Sequence, residues 1–139
     1  MNMNAEEPRK ALLDYDEYFK AVNGNVNDVF YYYREQAALK SRQYQRALDD
    51  IAKAIELSPK DLNYQTEHAV VNLRVGRYDE AIQILDKVIN EDPKYGEAYR
   101  LRGLCKAQLK KTDDACIDFK KAKELGDQNV DTLIEKYCK

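Results

Sequence analysis

Apolar and polar residues alternate along most of the chain with the three-to-four-residue spacing of amphipathic helices. The clearest examples are three apolar sets: Ala47, Ile51, Ala54 and Ile55; Ala81, Leu85, Val88 and Ile89; and Ala115, Phe119, Ala122 and Leu125. Each set lies on one face of a helix, and this spacing predicts that the face is buried. Asp49 and Asp50 fall between the apolar positions, and we interpret both as solvated surface residues.

The three helices repeat with a period of 34 residues, from Ala47 to Ala81 to Ala115. A fixed period of this size is typical of repeat arrays in which each repeat is one supersecondary unit. We therefore divide the chain into repeats 28–61, 62–95 and 96–129, each a pair of antiparallel helices. The small side chains of Ala47, Ala81 and Ala115 let the paired helices approach closely. On the first helix of a repeat, Ala69 and Gly103 are expected at this crossing, whereas Glu35 holds the equivalent place in the first repeat.

Helix-breaking residues support this division. Pro59 and Pro93 follow the second helices of the first two repeats, and proline disfavours helical geometry in the residue before it. Gly126 is suited to end the third repeat. Gly76 is expected in the turn inside the second repeat, where Arg42 and Lys110 occupy the equivalent positions.

Two further apolar stripes flank the repeats. Residues 9–22 predict an N-terminal capping helix or half-repeat, and residues 130–138 predict a C-terminal capping helix. Repeat arrays need such caps because a terminal unit otherwise leaves an apolar face exposed. The prediction is a single all-α domain over residues 1–139, with about eight antiparallel helices.

These residues resemble the tetratricopeptide repeat (TPR). The first repeat follows the family pattern with Tyr31, Ala47, Ile51, Ala54 and Pro59. The departures are Glu35 at a small-residue position, Gln65 at an aromatic position and Asp127 at a proline position. The resemblance covers residues 28–129. It implies an alpha-alpha superhelix whose first helices line a concave groove that binds a protein or peptide.

The resemblance places thirteen residues in that groove, which suits an extended peptide or an amphipathic helix. They are Val29, Tyr32, Gln36, Leu39, Lys40, Asn63, Thr66, Val70, Arg74, Glu97, Arg100, Leu104 and Gln108.

Some TPR domains bind the acidic C-terminal tails of heat-shock chaperones through lysines, asparagines and an arginine. The corresponding positions here hold Tyr32, Gln36, Glu67, Glu97 and Leu101. Two of these side chains are acidic and repel a carboxylate. We therefore expect a partner other than an acidic chaperone tail.

The N-terminal helix leaves two interpretations open. In the first, the helix covers the apolar face of the first repeat and does nothing more. In the second, its outer face pairs with a second copy of the chain, giving a homodimer. The candidate dimer contacts are Leu12, Tyr15, Tyr18 and Phe19. A third interpretation is a regulatory fragment of a larger protein, because the chain begins midway through a repeat.

Composition narrows the function classes. The chain carries 23 basic and 25 acidic residues, with a net charge of −2 and no basic stripe, so we expect no nucleic-acid partner. No apolar run approaches the roughly 18 residues that a membrane helix needs. The first eight residues lack the features of a signal peptide. A cytoplasmic location is slightly favoured, although a leader or anchor removed upstream leaves the compartment undetermined.

No catalytic motif is evident. The sequence lacks a Gly-rich phosphate loop, a Gly-x-Ser-x-Gly elbow and a His-Glu-x-x-His pair, and its one histidine, His68, is expected to pack structurally. Cys105, Cys116 and Cys138 form no Cys-x-x-Cys pair. We therefore expect no disulfide framework, no metal and no cofactor. Among the three cysteines, Cys138 is expected to be the most accessible. The sequence predicts a non-enzymatic interaction module.

Overall fold

The computed structural model of the chain describes residues 6–139. This range contains eight α-helices and no strand. They are α1 (Glu6–Ala21), α2 (Asp28–Lys40), α3 (Tyr44–Leu57), α4 (Leu62–Arg74), α5 (Tyr78–Glu91), α6 (Gly96–Gln108), α7 (Thr112–Glu124) and α8 (Asp131–Tyr137). The predicted all-α class with about eight helices is confirmed. The expectation of no signal peptide concerns residues that lie partly outside the described range.

The helices follow the 34-residue period closely. Helices α2, α4 and α6 begin 34 residues apart, and so do α3, α5 and α7. The turns inside the three pairs repeat as well, with positive φ at Arg42 (60°), Gly76 (84°) and Lys110 (66°). Left-handed backbone disfavours residues with a Cβ atom. The turn geometry is therefore kept in all three pairs, although only one of them has glycine there.

The chain divides into two compact units, one ending at Tyr64 and the other formed by Gln65–Lys139. The division falls inside α4. The assignment of residues 1–139 to one domain, with repeats 28–61, 62–95 and 96–129, stays a prediction.

The core of the first unit lies where α2 and α3 cross. Tyr31, Ile51, Ala54 and Tyr64 form a buried cluster, onto which side chains such as Phe19 of α1 pack. Tyr64 provides the aromatic ring that the repeat pattern placed one residue later, at Gln65. Ala47 is completely buried, as expected for a close helix crossing. Glu35 is also completely buried.

The core of the second unit is built around Phe119. A Cβ atom added to Gly103 would lie 2.6 Å from Cε1 of this ring, so α6 and α7 approach closely only because Gly103 has no side chain. Ala115 and Val130 are fully buried in the same cluster. Helix α8 covers one side of it, and the rings of Phe119 and Tyr137 lie 5.9 Å apart.

Buried arginine–aspartate pairs join helices in both units. Arg34 donates two hydrogen bonds to Asp50, and Arg102 donates two to Asp118. The expectation that Asp50 is a solvated surface residue is wrong, because Asp50 is only 5% exposed. The guanidinium of Arg34 supplies the hydrogen bonds that the buried carboxyl group of Asp50 needs.

A disulfide joins Cys116 in α7 to Cys138, which directly follows α8. The expectation that the cysteines form no disulfide is wrong at this pair. The third cysteine, Cys105, is buried as a free thiol. The two bonded residues are 22 apart in sequence, and only the packing of α8 onto α7 brings their Cα atoms within 5.5 Å.

Candidate functional site

An open cleft lies between α1 and α2 in the first unit. One part has a volume of about 540 Å³, and a second part has a volume of about 260 Å³. Tyr15 and Tyr33 line both parts, so the two adjoin, and we describe them together as one cleft. The larger part is lined by Tyr15, Tyr18, Asn25, Val26, Asn27, Val29, Phe30 and Tyr33. The smaller part is lined by Glu7, Pro8, Ala11, Tyr15, Tyr33, Gln36, Ala37 and Lys40.

Phe30 holds the aromatic walls of this cleft in place. Its ring contacts Tyr15 edge-on, with the centroids 5.6 Å apart, and its centroid lies 5.8 Å from that of Tyr18. Such aromatic pairs add to the stability that burial provides. Asn27 caps α2 by accepting a hydrogen bond of 3.0 Å from the backbone N–H of Phe30. The start of α2 is thereby fixed where the aromatic side chains meet.

The cleft is open to solvent and has little charge. Tyr18 is 55% exposed, Tyr33 52% and Val29 43%. Of the residues that line the cleft, only Glu7 and Lys40 are charged, and their charges are opposite. The walls instead offer phenol hydroxyls, carboxamides and apolar surface. Such a surface can hold an uncharged chain by packing and hydrogen bonds.

Three predicted groove residues of the first unit, Val29, Gln36 and Lys40, line this cleft. Tyr32 lies outside it, and the centroid of its ring is 5.3 Å from that of Tyr64. Leu39 is half-buried and Asn63 is exposed. Tyr33, which lines both parts of the cleft, was not among the predicted groove residues. The run of three tyrosines at 31–33 was a signal for it, since successive helix residues point in different directions.

The predicted dimer contacts on α1 do not share one surface. Leu12 is 2% exposed, so its assignment to an exterior contact is wrong. Its side chain is needed inside the first unit. Phe19 packs partly against the buried cluster of Tyr31, whereas Tyr15 and Tyr18 line the cleft.

The predicted groove residues of the second unit differ in accessibility. Thr66 is 3% exposed, so its assignment as a groove contact is wrong. Val70, Arg100 and Leu104 are half-buried. The guanidinium of Arg100 pairs with Asp127 at 3.0 Å and with Glu97 at 3.9 Å. The exposed members of the set are Arg74, Glu97 and Gln108.

Asp28 forms a polar anchor beside the core of the first unit. Its Oδ2 accepts hydrogen bonds from the hydroxyl of Tyr64 at 2.7 Å and from that of Ser58 at 3.1 Å. The bond from Tyr64 is the main reason that the pKa of Asp28 is lower than usual. Burial, together with Asp28, raises the pKa of the Tyr64 phenol.

Among residues 6–139, no group of three or more histidine, cysteine, aspartate or glutamate side chains could hold a metal ion. No helix in the same range is long and apolar enough to cross a membrane.

Comparisons with known proteins agree with the repeat pattern. The chain is 32% identical over 94 residues to the DnaJ homolog subfamily C member 7 homolog of Dictyostelium discoideum, covering 65% of this chain and 17% of that protein. It is 30% identical over 108 residues to the Hsp70-Hsp90 organizing protein of Triticum aestivum, covering 70% of this chain and 18% of the relative. The chain thus spans less than a fifth of either relative.

Solved structures share the fold. YrrB, a TPR protein with an unusual peptide-binding site, superposes with a TM-score of 0.79 at 22% identity, over 94% of this chain and 67% of YrrB. The TPR domain of Arabidopsis OM64 gives a TM-score of 0.67 at 29% identity, over 73% and 85% of the two chains. The family model of the tetratricopeptide repeat matches residues 38–109, more than half of the sequence. The chain therefore belongs to the tetratricopeptide repeat family.

Proposed function

We propose that this chain is a non-enzymatic protein interaction module that binds an extended, uncharged segment of a partner protein in the cleft between α1 and α2. The observation that carries this proposal is the exposure of Tyr18, Tyr33 and Val29 on the walls of one cleft. Exposed aromatic side chains in a concave site are typical contacts for peptides.

The chemistry of the walls favours this kind of ligand. A peptide in extended or polyproline geometry has backbone groups that need hydrogen-bond partners, and aromatic-lined grooves are one recurring way to bind it. Tyrosine hydroxyls and the carboxamide of Gln36 can supply these partners, while the ring faces pack against apolar side chains. With one acid and one base among the lining residues, the cleft has no net charge with which to select a charged ligand.

The predicted inner-face residues of the second unit form a separate proposed contact surface on α4 and α6. Its members are Val70, Arg74, Glu97, Arg100, Leu104 and Gln108. Arg100 is already paired with Asp127, so its charge is less available to a ligand than that of Arg74.

An acidic chaperone tail is a competing ligand. Several relatives are Hsp70-Hsp90 organizing proteins, and the first TPR of Spaghetti, a fold neighbour at 20% identity, was solved with the HSP90 peptide SRMEEVD. We propose that such a tail is not the ligand here. The positions that correspond to the family's carboxylate contacts include Glu67 and Glu97, and Leu101 is buried. None of them offers a positive charge.

Fluorescence polarisation with labelled SRMEEVD tests this point directly. We expect no saturable binding at protein concentrations up to about 100 μM, far weaker than the roughly micromolar affinity of a specific peptide complex. Saturation in the low micromolar range, abolished by Lys40→Ala, would contradict the proposal and favour the chaperone tail.

Selection from a random peptide library, followed by titration of one selected peptide, tests the cleft itself. Tyr33→Ala is expected to weaken binding at least about tenfold, because a central aromatic contact typically contributes more than 1 kcal/mol. Leu57→Ala, which removes another exposed apolar side chain of the first unit, is the matched control and should leave the affinity unchanged. Equal affinities for the two variants would contradict binding in the cleft.

Self-association through α1 is a second candidate function. Leu13 is 65% exposed and Tyr18 55%, on a helix that the sequence marked as a dimer contact. Sedimentation of the full chain should then show a dimer that becomes a monomer in the double variant Leu13→Glu and Tyr18→Glu. A monomer for the unmodified chain at the highest accessible concentration would eliminate this candidate.

A further inference from the structure

The C-terminal helix is held to its neighbour by two kinds of contact. The first is apolar packing of partly buried side chains, among them Leu133, Ile134 and Tyr137, against the cluster around Phe119. The second is the Cys116–Cys138 disulfide, whose Cα separation of 5.5 Å lies in the usual range for such bonds. Cys116 and Cys138 are both half-buried rather than enclosed, so small reagents can reach this side of the protein.

Helix α8 depends on these contacts for its existence. It has seven residues, and an isolated helix shorter than about twelve residues is marginal in water. The one ion pair between α8 and α7 that the described residues show is Lys123–Asp131, at 3.3 Å. Both side chains are more than 60% exposed, so this pair contributes little. The packing and the disulfide therefore decide whether α8 stays docked.

We propose that Cys116 and Cys138 form a reversible redox latch, which a low-molecular-weight disulfide closes and a low-molecular-weight thiol opens. Closing fixes α8 over the apolar face of α7. Opening leaves α8 held by apolar packing and the exposed Lys123–Asp131 pair, so that it undocks more often and exposes Phe119.

The chemistry is a pair of thiol–disulfide exchanges. One cysteine thiolate attacks the small disulfide, forming a mixed disulfide and releasing one small thiol. The second thiolate then attacks the protein sulfur of that mixed disulfide, forming the Cys116–Cys138 bond and releasing the second small thiol. Two protein thiols are oxidised, and one small disulfide is reduced to two thiols that take up the two protons. The reverse sequence opens the latch.

Cys105 serves as an internal comparison. It is completely buried, and burial raises the pKa of its thiol to about 12. A thiol in this state has almost no thiolate at neutral pH and reacts slowly. Only two of the three cysteines should therefore respond to a small disulfide while the protein is folded.

The first experiment equilibrates the full chain in a series of oxidised and reduced glutathione mixtures, followed by acid quenching, alkylation and mass spectrometry. We expect a single transition in which the thiols of Cys116 and Cys138 are lost together. The mass of the protein should show no bound glutathione, and Cys105 should be alkylated only after unfolding. The Cys105→Ser variant should behave identically. Stable glutathione adducts, or disulfide-linked dimers in place of the internal bond, would overturn the latch.

The second experiment measures amide hydrogen exchange in α8 for both redox states. Reduction should speed exchange at Ile134 and Cys138 by on the order of tenfold to hundredfold, because a cross-link of this loop length restricts the open state strongly. Cys138→Ser should match the reduced protein under both conditions, whereas amides of α2 should not change. Equal exchange rates for oxidised and reduced α8 would overturn the proposal even if the bond forms.

Discussion

Arg102 binds Asp118 through two parallel hydrogen bonds, from Nε to Oδ2 at 2.9 Å and from Nη2 to Oδ1 at 2.8 Å. Arg34 binds Asp50 in the same way, and in both pairs the partners are 16 residues apart. Each arginine also contacts an aspartate on the preceding helix. Arg102 donates to Asp86 of α5 at 2.8 Å, and Arg34 donates to Asp16 of α1 at 3.5 Å. The same ion-pair arrangement therefore occurs in the first and third repeats.

Removal of the buried carboxylate is expected to destabilise the protein strongly. Asp118→Asn removes the buried anionic partner of Arg102, which keeps only the half-exposed Asp86, and also removes the ion pair with Lys106 at 2.9 Å. The free energy of unfolding should fall by about 3 kcal/mol, as measured by urea denaturation at neutral pH. Asp86→Asn is the control: its side chain is 50% exposed, and the cost should stay below about 1 kcal/mol. Similar losses for both variants would contradict this account.

The second repeat holds His68 and Ile84 where the other two hold the arginine and the aspartate. Burial lowers the pKa of His68, so its neutral form is favoured in the folded protein. At pH values just below 6.5, the ordinary pKa of histidine, the unfolded chain therefore binds more protons than the folded protein does. Stability should therefore be fully present above this pH and decrease as the pH falls towards the folded pKa.

The single histidine makes this prediction easy to measure. The pKa follows from the imidazole proton shifts in an NMR titration, and the stability follows from urea denaturation at several pH values. His68→Gln should remove this part of the pH dependence. A folded-state pKa above 6.5 would show that an anionic partner, rather than burial, controls this side chain.

Gly103→Ala should destabilise the second unit by roughly 1–2 kcal/mol. The new methyl group would lie 2.6 Å from the ring of Phe119, which is fully buried and cannot move away freely. Overpacking of this kind costs about 1–3 kcal/mol, and the better helix propensity of alanine offsets part of it. Thermal unfolding followed by circular dichroism measures the loss.

A double variant separates this clash from other effects. Phe119→Leu is destabilising by itself, but Gly103→Ala should cost less in that background because the smaller side chain leaves room for the methyl group. A double-mutant cycle gives the coupling energy. Additive effects of the two substitutions would show that the methyl group and the ring do not interfere.

Tyr64→Phe should raise the pKa of Asp28 towards its ordinary value of 3.8. The lost hydroxyl is the main hydrogen-bond donor that favours the ionised carboxylate. Because the pKa of Asp28 is lower in the folded state, its contribution to stability is present above pH 3.8 and is lost as the pH falls below that value. NMR titration of the carboxyl carbon measures the change. Tyr33→Phe, at an exposed ring, should leave this pKa unchanged.

Periodicity made the helices predictable. The apolar sets around Ala47, Ala81 and Ala115 located the second helices, and all three alanines are fully buried. The expected close approach at Gly103 is present because its spacing from Ala115 follows the same repeat. The spacing of nearby residues determines helix positions and close helix approaches, and the same spacing recurs in every repeat.

Features that join distant parts of the chain were harder to infer. The disulfide depends on how the short α8 docks onto α7, and no repeat position signals that packing. The burial of Asp50 depends on its pairing with Arg34. The distance in sequence between these two residues becomes informative only when it is compared with that between Arg102 and Asp118 in the third repeat. The α1–α2 cleft depends on the angle at which a helix outside the repeats meets Phe30.

The equal spacing of helix starts has a consequence for how such a gene can change in length. Because α2, α4 and α6 begin 34 residues apart, a duplication or deletion of one whole period returns each following residue to the same structural role. An insertion of a single codon inside a helix shifts the apolar face by about 100° and buries charges instead. Growth by complete copies is therefore the change in length that this architecture tolerates best.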